Sequence, residues 1–347
     1  MARWGGSTVT RADVAWRVRP EDLSVFSRGG GAGVATGVSH GETTVRLRGR
    51  LAEAGVGEGL DLRERKPEWM RVKVRFGDDY RRLESIMRGL ELSTVCQEAG
   101  CPNIYECWSD GTATFMINGH RCTRACGFCL VDTRKPLPLD AGEPDRIAMA
   151  VDQMGLAYAV ITAVARDDLA DGGAAAFVAT IDAVRARCPH TKVEVLIPDC
   201  QGDADALDLI FRSRPDVLNH NIETVARLQR AVRPTASYAR SLAVLARAKE
   251  ADLTTKSSII VGMGETFDEV VECMADLRAV GVDIVTIGQY LRPTSHHVPV
   301  ARWWTPDEFV TLTRIGEQEL GIPHVEASPL TRSSYHAKNA AARSVDR

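Results

Sequence analysis

Thr112-Ala-Thr-Phe-Met-Ile-Asn118 is followed after three residues by Cys122-Thr-Arg-Ala-Cys126-Gly-Phe-Cys129, so a strand-like apolar run leads directly into a compact set of thiols. Five further runs read the same way: Ala157 to Val164, Thr191 to Ile197, Asp216 to Asn221, Thr254 to Val261 and Asp283 to Gly288. Between them, Ala174 to Arg187, Tyr238 to Glu250 and Phe267 to Val280 repeat apolar residues at three and four, the helical period. Six βα units imply an α/β fold with a parallel sheet and right-handed crossovers, either a doubly wound sheet or a barrel, complete or open. In a barrel, chemistry belongs at the C-terminal ends of strands, and the thiols follow the first of them.

The composition is that of an ordinary globular chain: 347 residues, 44% hydrophobic and 26% charged. With 43 Lys plus Arg against 46 Asp plus Glu, it lacks the basic surface expected of a nucleic-acid binder. No apolar run reaches the roughly 18 residues of a membrane span. Residues 1–60 hold 12 of the 29 glycines and eight Arg but no Lys, without sustained apolar periodicity. This stretch is expected to be mostly unstructured, with an organelle presequence as the alternative. From Glu68 a charged stretch leads to Leu83, Ile86, Met87 and Leu90, spaced as a short helix.

None of the nine cysteines falls in the first 95 residues, and six lie between 96 and 129. Clustered thiols, an odd total and no secretory leader point to metal ligation in a reducing compartment rather than a disulfide framework. Cys122, Cys126 and Cys129 can wrap one face of an iron–sulfur cubane and leave one iron either open or ligated from elsewhere. A zinc site needs a fourth ligand, and His120 is poorly spaced for one. A second triplet, Cys96-Gln-Glu-Ala-Gly-Cys101-Pro-Asn-Ile-Tyr-Glu-Cys107, calls for a second cluster with a remote fourth ligand; redox-sensing or buried thiols are the alternative. Cys188, Cys200 and Cys273 are isolated and read as small hydrophobes. Packing is expected for Trp303 and Trp304, and no metal for His296 and His297.

The Cys-x3-Cys-x2-Cys spacing with Phe128 before the third cysteine resembles the radical S-adenosylmethionine superfamily. Both triplets together, with Arg166-Asp-Asp-Leu-Ala-Asp-Gly-Gly-Ala, Asn219-His-Asn-Ile-Glu-Thr, Gly288-Gln-Tyr-Leu-Arg-Pro-Thr and Arg332-Ser-Ser-Tyr-His-Ala in order, resemble the lipoyl synthase family from about Lys73 to Ala337. That resemblance implies a partial (β/α)6 TIM-type barrel over 111–320. It is preceded by a Gly/Arg-rich extension over 1–65 and an auxiliary-cluster segment over 66–110, and followed by a C-terminal segment over 321–347. It implies two 4Fe–4S clusters: one on Cys122, Cys126 and Cys129 that binds S-adenosylmethionine, and an auxiliary one on Cys96, Cys101, Cys107 and Ser334. Phe128, Gly172, Gly173, Asn219 and Glu223 are the implied cofactor contacts, and Arg332 either orients a carboxylate or covers surface.

The implied reaction inserts two sulfur atoms, at C6 and C8, into an octanoyl chain on a carrier-protein lysine, with the auxiliary cluster as donor. The implied partners are an octanoylated lipoyl carrier (a 2-oxoacid dehydrogenase E2 or glycine cleavage H protein), a low-potential donor such as ferredoxin or flavodoxin, and a cluster-repair protein. The expected location is the cytoplasm. Two competing readings are a radical enzyme whose auxiliary cluster relays electrons, and a non-catalytic iron–sulfur or zinc protein. The sequence departs from the family pattern at Ser258 and Ser328, where glycine is usual, and at Lys338, where an acid is common.

Overall fold

The computed structural model describes residues 40–71, 78–92, 103–109 and 111–345. The six expected strands form as β1 (Thr112–Ile117), β2 (Tyr158–Ala163), β3 (Lys192–Leu196), β4 (Val217–Asn219), β5 (Thr255–Val261) and β6 (Ile284–Gln289). A seventh, β7 (His324–Ser328), extends the six-strand reading: it pairs with β6 from Ile284↔His324 to Gly288↔Ser328. Every pair is parallel, and the order is β1-β2-β3-β4-β5-β6-β7. This order decides between the two architectures left open above. A doubly wound sheet reverses direction at a switch point, whereas consecutive neighbours joined by crossovers of one hand keep the helices on one face and curl the sheet. Among the described residues β1 and β7 are not paired, so the barrel is open.

Side chains alternate across each strand. Outward-facing Phe115, Ile161, Val195, Leu218, Ile259, Ile287 and Val325 are buried in two apolar clusters with the helices. Those helices include α4 (Glu143–Met154), α5 (Ala174–Arg187), α6 (Ala204–Arg212), α7 (Gln229–Val232), α8 (Tyr238–Glu250), α9 (Phe267–Ala279) and α10 (Pro306–Arg314). The inward positions mix polar Thr114, Tyr158, Glu194, Asn219, Lys256 and Thr286 with apolar Met116, Val160 and Ile284. At the N-terminal end of β2, Tyr158 and Val160 pack with Ala337 of α11 (Ala337–Val345), so the C-terminal helix covers the inner face there. Polar chemistry is left to the opposite end.

Helix α1 (His40–Glu53) revises the expectation of an unstructured first 60 residues for its own span. Leu47 and Leu51, one turn apart, are buried with Val232, Met263 and Val298, and the Leu60 amide donates to the Val300 carbonyl at 2.7 Å. Two leucines among arginines make a stripe too narrow to register as periodicity. Residues 1–39 lie outside the described residues, and with them most of the expectation for this stretch. The helix expected around Leu83 forms as α2 (Asp78–Gly89), with Leu83 and Met87 buried.

Candidate functional site

Cys122, Cys126 and Cys129 sit on the loop that leaves β1, and three parts of the barrel rim hold it. The Cys122 amide donates to the Asp132 carbonyl at 2.8 Å, and the Thr123 amide to the Ala165 carbonyl, after β2, at 3.0 Å. Gly127 donates to the Val232 carbonyl at 2.7 Å and accepts from the Val298 amide at 2.8 Å. A Cβ on Gly127 would lie 2.8 Å from Val298 Cγ2 and 3.2 Å from Leu47 Cδ1, so only glycine lets the loop lie this close. His297 Nε2 is 2.9 Å from the Cys129 carbonyl, and its Nδ1 is 2.8 Å from Thr294 Oγ1. His297 fastens the thiol loop through the backbone. Trp304 packs, fully buried, 5.9 Å from the Phe267 ring, and its indole donates to Glu265 at 3.0 Å.

Burial pushes the Cys129 thiol up to about 12, and the neighbouring Cys126 and Cys122 add to the rise. Burial raises Cys126 too, against the pull of Arg233. Two buried thiols that resist ionising alone, on one loop with Cys122, fit a cationic centre that supplies the missing counter-charge. A cubane takes each thiolate on a different iron, so three thiols carried on one short loop suit it. The donor set therefore fits an iron–sulfur cluster.

The loop also carries a residue that spacing alone did not mark. Arg124 donates to both oxygens of Asp167 at 2.7 Å and to Asp199 Oδ1 at 2.6 Å, and Asp199 Oδ2 is 3.2 Å from Arg240. Burial opposes the charge on Asp199, yet Arg124 and Arg240 hold its carboxyl below the usual carboxylate range. Asp167 and Asp199 follow β2 and β3, so one guanidinium ties the thiol loop to two strand ends. The only signal in the sequence was their position just after those strands.

Gly172 and Gly173 end the loop after β2, both left-handed, at φ +61° and +88°. A Cβ on Gly173 would lie 3.0 Å from Asn118 Cγ, and Asn118 itself leaves β1 at φ +68°. The pair thus brings bare backbone beside the end of β1. Phe128 is partly buried against the second apolar cluster. Glu223 bridges to β5, where the Ile260 amide donates to its carbonyl at 2.8 Å. Its carboxyl is raised by burial, and its charge acts on Cys126 and Cys129. Asn219 instead donates from Nδ2 to Glu194 at 3.1 Å, inside a buried network with Lys256 and Tyr158, and its Oδ1 is buried without a partner.

Cys96 and Cys101 lie outside the described residues. Cys107 lies on α3 (Ile104–Ser109), and this helix meets the C-terminal motif: Asn103 Nδ2 donates to the Leu330 carbonyl at 2.7 Å, and the Tyr335 hydroxyl to Glu106 at 3.1 Å. Ser334 is on the segment so held. Arg332 donates to the Thr331 carbonyl at 2.6 Å, where the segment crosses Gly288. Ser328, at a departure from the family pattern, is 2.9 Å from Thr331 Oγ1 in this same turn; Ser258, at the other, is buried on β5.

A family model described as the radical SAM superfamily matches residues 116–286, and one described as the N-terminal domain of lipoyl synthase matches residues 48–101. The chain is 56% identical over 277 residues to a lipoyl synthase of Rubrobacter xylanophilus, covering 79% of this chain and 86% of that protein. It is 53% identical over 297 residues to a lipoyl synthase of Mycolicibacterium paratuberculosis, covering 86% and 94%. Among solved structures, SuiB from Streptococcus suis bound to S-adenosylmethionine aligns at a TM-score of 0.50 and 9% identity over 65% of this chain and 53% of that one, a likeness of fold alone. Thiol loop, parallel open barrel and identity over most of the chain agree, and the chain belongs to the lipoyl synthase family of radical SAM enzymes.

Proposed function

We propose that this enzyme inserts two sulfur atoms, at C6 and C8, into an octanoyl chain carried on a lysine of a lipoyl carrier protein. The sulfur source is an auxiliary cluster held by Cys96, Cys101, Cys107 and Ser334. The observation that carries this reading is the meeting of the Cys107 helix with the Ser334 segment, bonded across 227 residues of sequence. Cys107 and Ser334, from two distant parts of the chain, lie on elements that meet. A serine oxygen, harder than thiolate, makes the weakest corner of such a cluster, which suits one that is consumed.

Methylene and methyl hydrogens offer no acidity, so side-chain acid–base catalysis cannot remove them. The family's cluster and S-adenosylmethionine supply instead a carbon-centred radical able to abstract them. This chain's contribution is position. Cys122, Cys126 and Cys129 hold the cluster, Phe128 and Glu223 border it, and Gly172 and Gly173 offer backbone groups to the methionine end of the cofactor. Asn219 is the weakest of the cofactor contacts, because its amide is engaged by Glu194. Helix α11 covers the far end of the inner face, and a substrate chain enters from the end that holds the thiols.

The partners in this account are an octanoylated carrier (a 2-oxoacid dehydrogenase E2 or glycine cleavage H protein), a low-potential donor such as ferredoxin or flavodoxin, and a cluster-repair protein. Clustered thiols that ligate metal suit a reducing compartment such as the cytoplasm. No helix among the described residues is long and apolar enough to cross a membrane.

Paired cysteine variants test the division of labour. Cys126→Ala is expected to abolish 5′-deoxyadenosine formation, and Cys101→Ala to retain some of it without lipoyl product. Equal loss of deoxyadenosine in a folded, cluster-loaded Cys101→Ala enzyme contradicts the reading.

A further inference from the structure

Asn103, Glu106 and Cys107 are spaced by three and four residues at and within α3, which places them on one face. Two of them grip the C-terminal segment on either side of Ser334. Asn103, 5% exposed, bonds the Leu330 carbonyl at 2.7 Å. Farther along, the Glu106 carboxylate accepts from the Tyr335 hydroxyl at 3.2 and 3.1 Å and lies 3.3 Å from His336 Nε2. The Tyr335 and His336 rings stack at 3.8 Å and 25°, so they present their polar atoms together. His336 Nδ1 is 3.6 Å from Glu326 Oε1 on β7, which ties the same ring to the sheet. A cavity of about 140 Å³, lined by Glu106, Cys107, Thr112, His336 and Asn339, opens beside this grip.

Glu106 is more than half exposed, so a single pair there contributes little. One carboxylate that meets a hydroxyl and an imidazole already stacked on each other asks for less side-chain ordering than separate pairs do. Combined with the buried Asn103 bond, the contacts fix both flanks of Ser334.

We infer that Glu106 is a positioning residue that latches the Ser334 segment beside Cys107. This rests on the reading of Ser334 and Cys107 as co-ligands of the donor cluster. A serine held at both flanks rebinds as an intramolecular ligand at high effective concentration, so the weak oxygen corner can open and close without loss of the segment. The latch acts on segment order, and through it on how readily the cluster sheds iron.

The test compares Glu106→Ala, Glu106→Gln and Tyr335→Phe in the full chain by amide hydrogen exchange over residues 330–336 and by iron release from the reconstituted enzyme to a chelator. Loss of charge-assisted bonds predicts about tenfold faster exchange and auxiliary iron release in Glu106→Ala. Tyr335→Phe is expected to be intermediate, and Glu106→Gln, which keeps an acceptor, close to wild type; deoxyadenosine formation stays near the wild-type rate. Unchanged exchange in Glu106→Ala overturns the latch. Faster exchange with unchanged iron release, in an enzyme that holds two clusters, overturns the positioning role. If wild type holds only one cluster's iron while exchange still accelerates in Glu106→Ala, the latch stands and the donor reading falls. Should Glu106→Ala fail to fold, Tyr335→Phe, which removes a single hydroxyl, makes the same comparison.

Discussion

Arg124 Nη2 lies 2.6 Å from Asp199 Oδ1, and neither side chain is more than 6% exposed. The pair joins the thiol loop to the end of β3, where Cys200 and Gln201 both adopt positive φ, at 44° and 54°, and where Cys200 Cα would lie 3.4 Å from a Cβ on Gly172. Thiol loop, β3 turn and glycine pair therefore share one anchor.

Asp199→Asn keeps the shape but leaves a buried guanidinium with Asp167 alone. We expect a loss of about 2–3 kcal/mol in urea unfolding and weaker S-adenosylmethionine binding. The carboxyl is depressed in the folded state, so its stabilisation is fully present above the unfolded value, about pH 4, and is lost as pH falls further. Asp199→Asn should remove that acid-side dependence, and an unchanged acid limb would count against the pair.

His220 carries the opposite charge logic. Its Nδ1 is 2.9 Å from the Ile197 carbonyl and its Nε2 is 3.0 Å from Ser241 Oγ; burial, then the Arg233 charge, lowers it to about 4. The unfolded chain binds the extra proton between about pH 4 and 6.5, so stability rises with pH across that window by about 1 kcal/mol per unit. Urea midpoints measured over this range should show a slope that His220→Gln reduces.

Inside the barrel, Lys256 and Glu194 are both fully buried at 3.0 Å, and Tyr158 and Asn219 also bond the carboxylate. Lys256→Met strands that charge and should cost about 3–5 kcal/mol. The double variant Lys256→Met, Glu194→Leu should recover much of it, and a double-mutant cycle without coupling would refute the pairing.

Gly288 on β6 leaves room for the crossing C-terminal segment. A Cβ there would meet the Thr331 carbonyl, with the carbonyl carbon at 2.9 Å. Gly288→Ala should cost about 3 kcal/mol and lower auxiliary-cluster iron more than the iron of the Cys122 loop, read by Mössbauer spectroscopy.

What the sequence revealed was mainly local. Six strands and the helices at 174–187, 238–250 and 267–279 were legible because each carries its own period. The Cys122 to Cys129 loop was legible because its three thiols lie within eight residues. Strand β7 was missed because His324, Glu326 and Ser328 face the polar interior and leave Val325 as the only large apolar residue. Arg124 was missed because its partners lie 43 and 75 residues away, and the Glu106 grip because its partners lie 229 and 230 away. Such pairings are set by the curling of the sheet and leave no trace in spacing.

The central claim is sulfur transfer from the protein's own cluster. The most direct measurement reconstitutes the enzyme anaerobically with iron and sulfide, adds S-adenosylmethionine, reductant and an octanoyl-lysyl peptide, and follows the peptide by mass spectrometry. The account predicts a peptide that gains two sulfur atoms as 5′-deoxyadenosine forms and cluster iron is released. Deoxyadenosine with no sulfur gained and the cluster sulfide intact would contradict it.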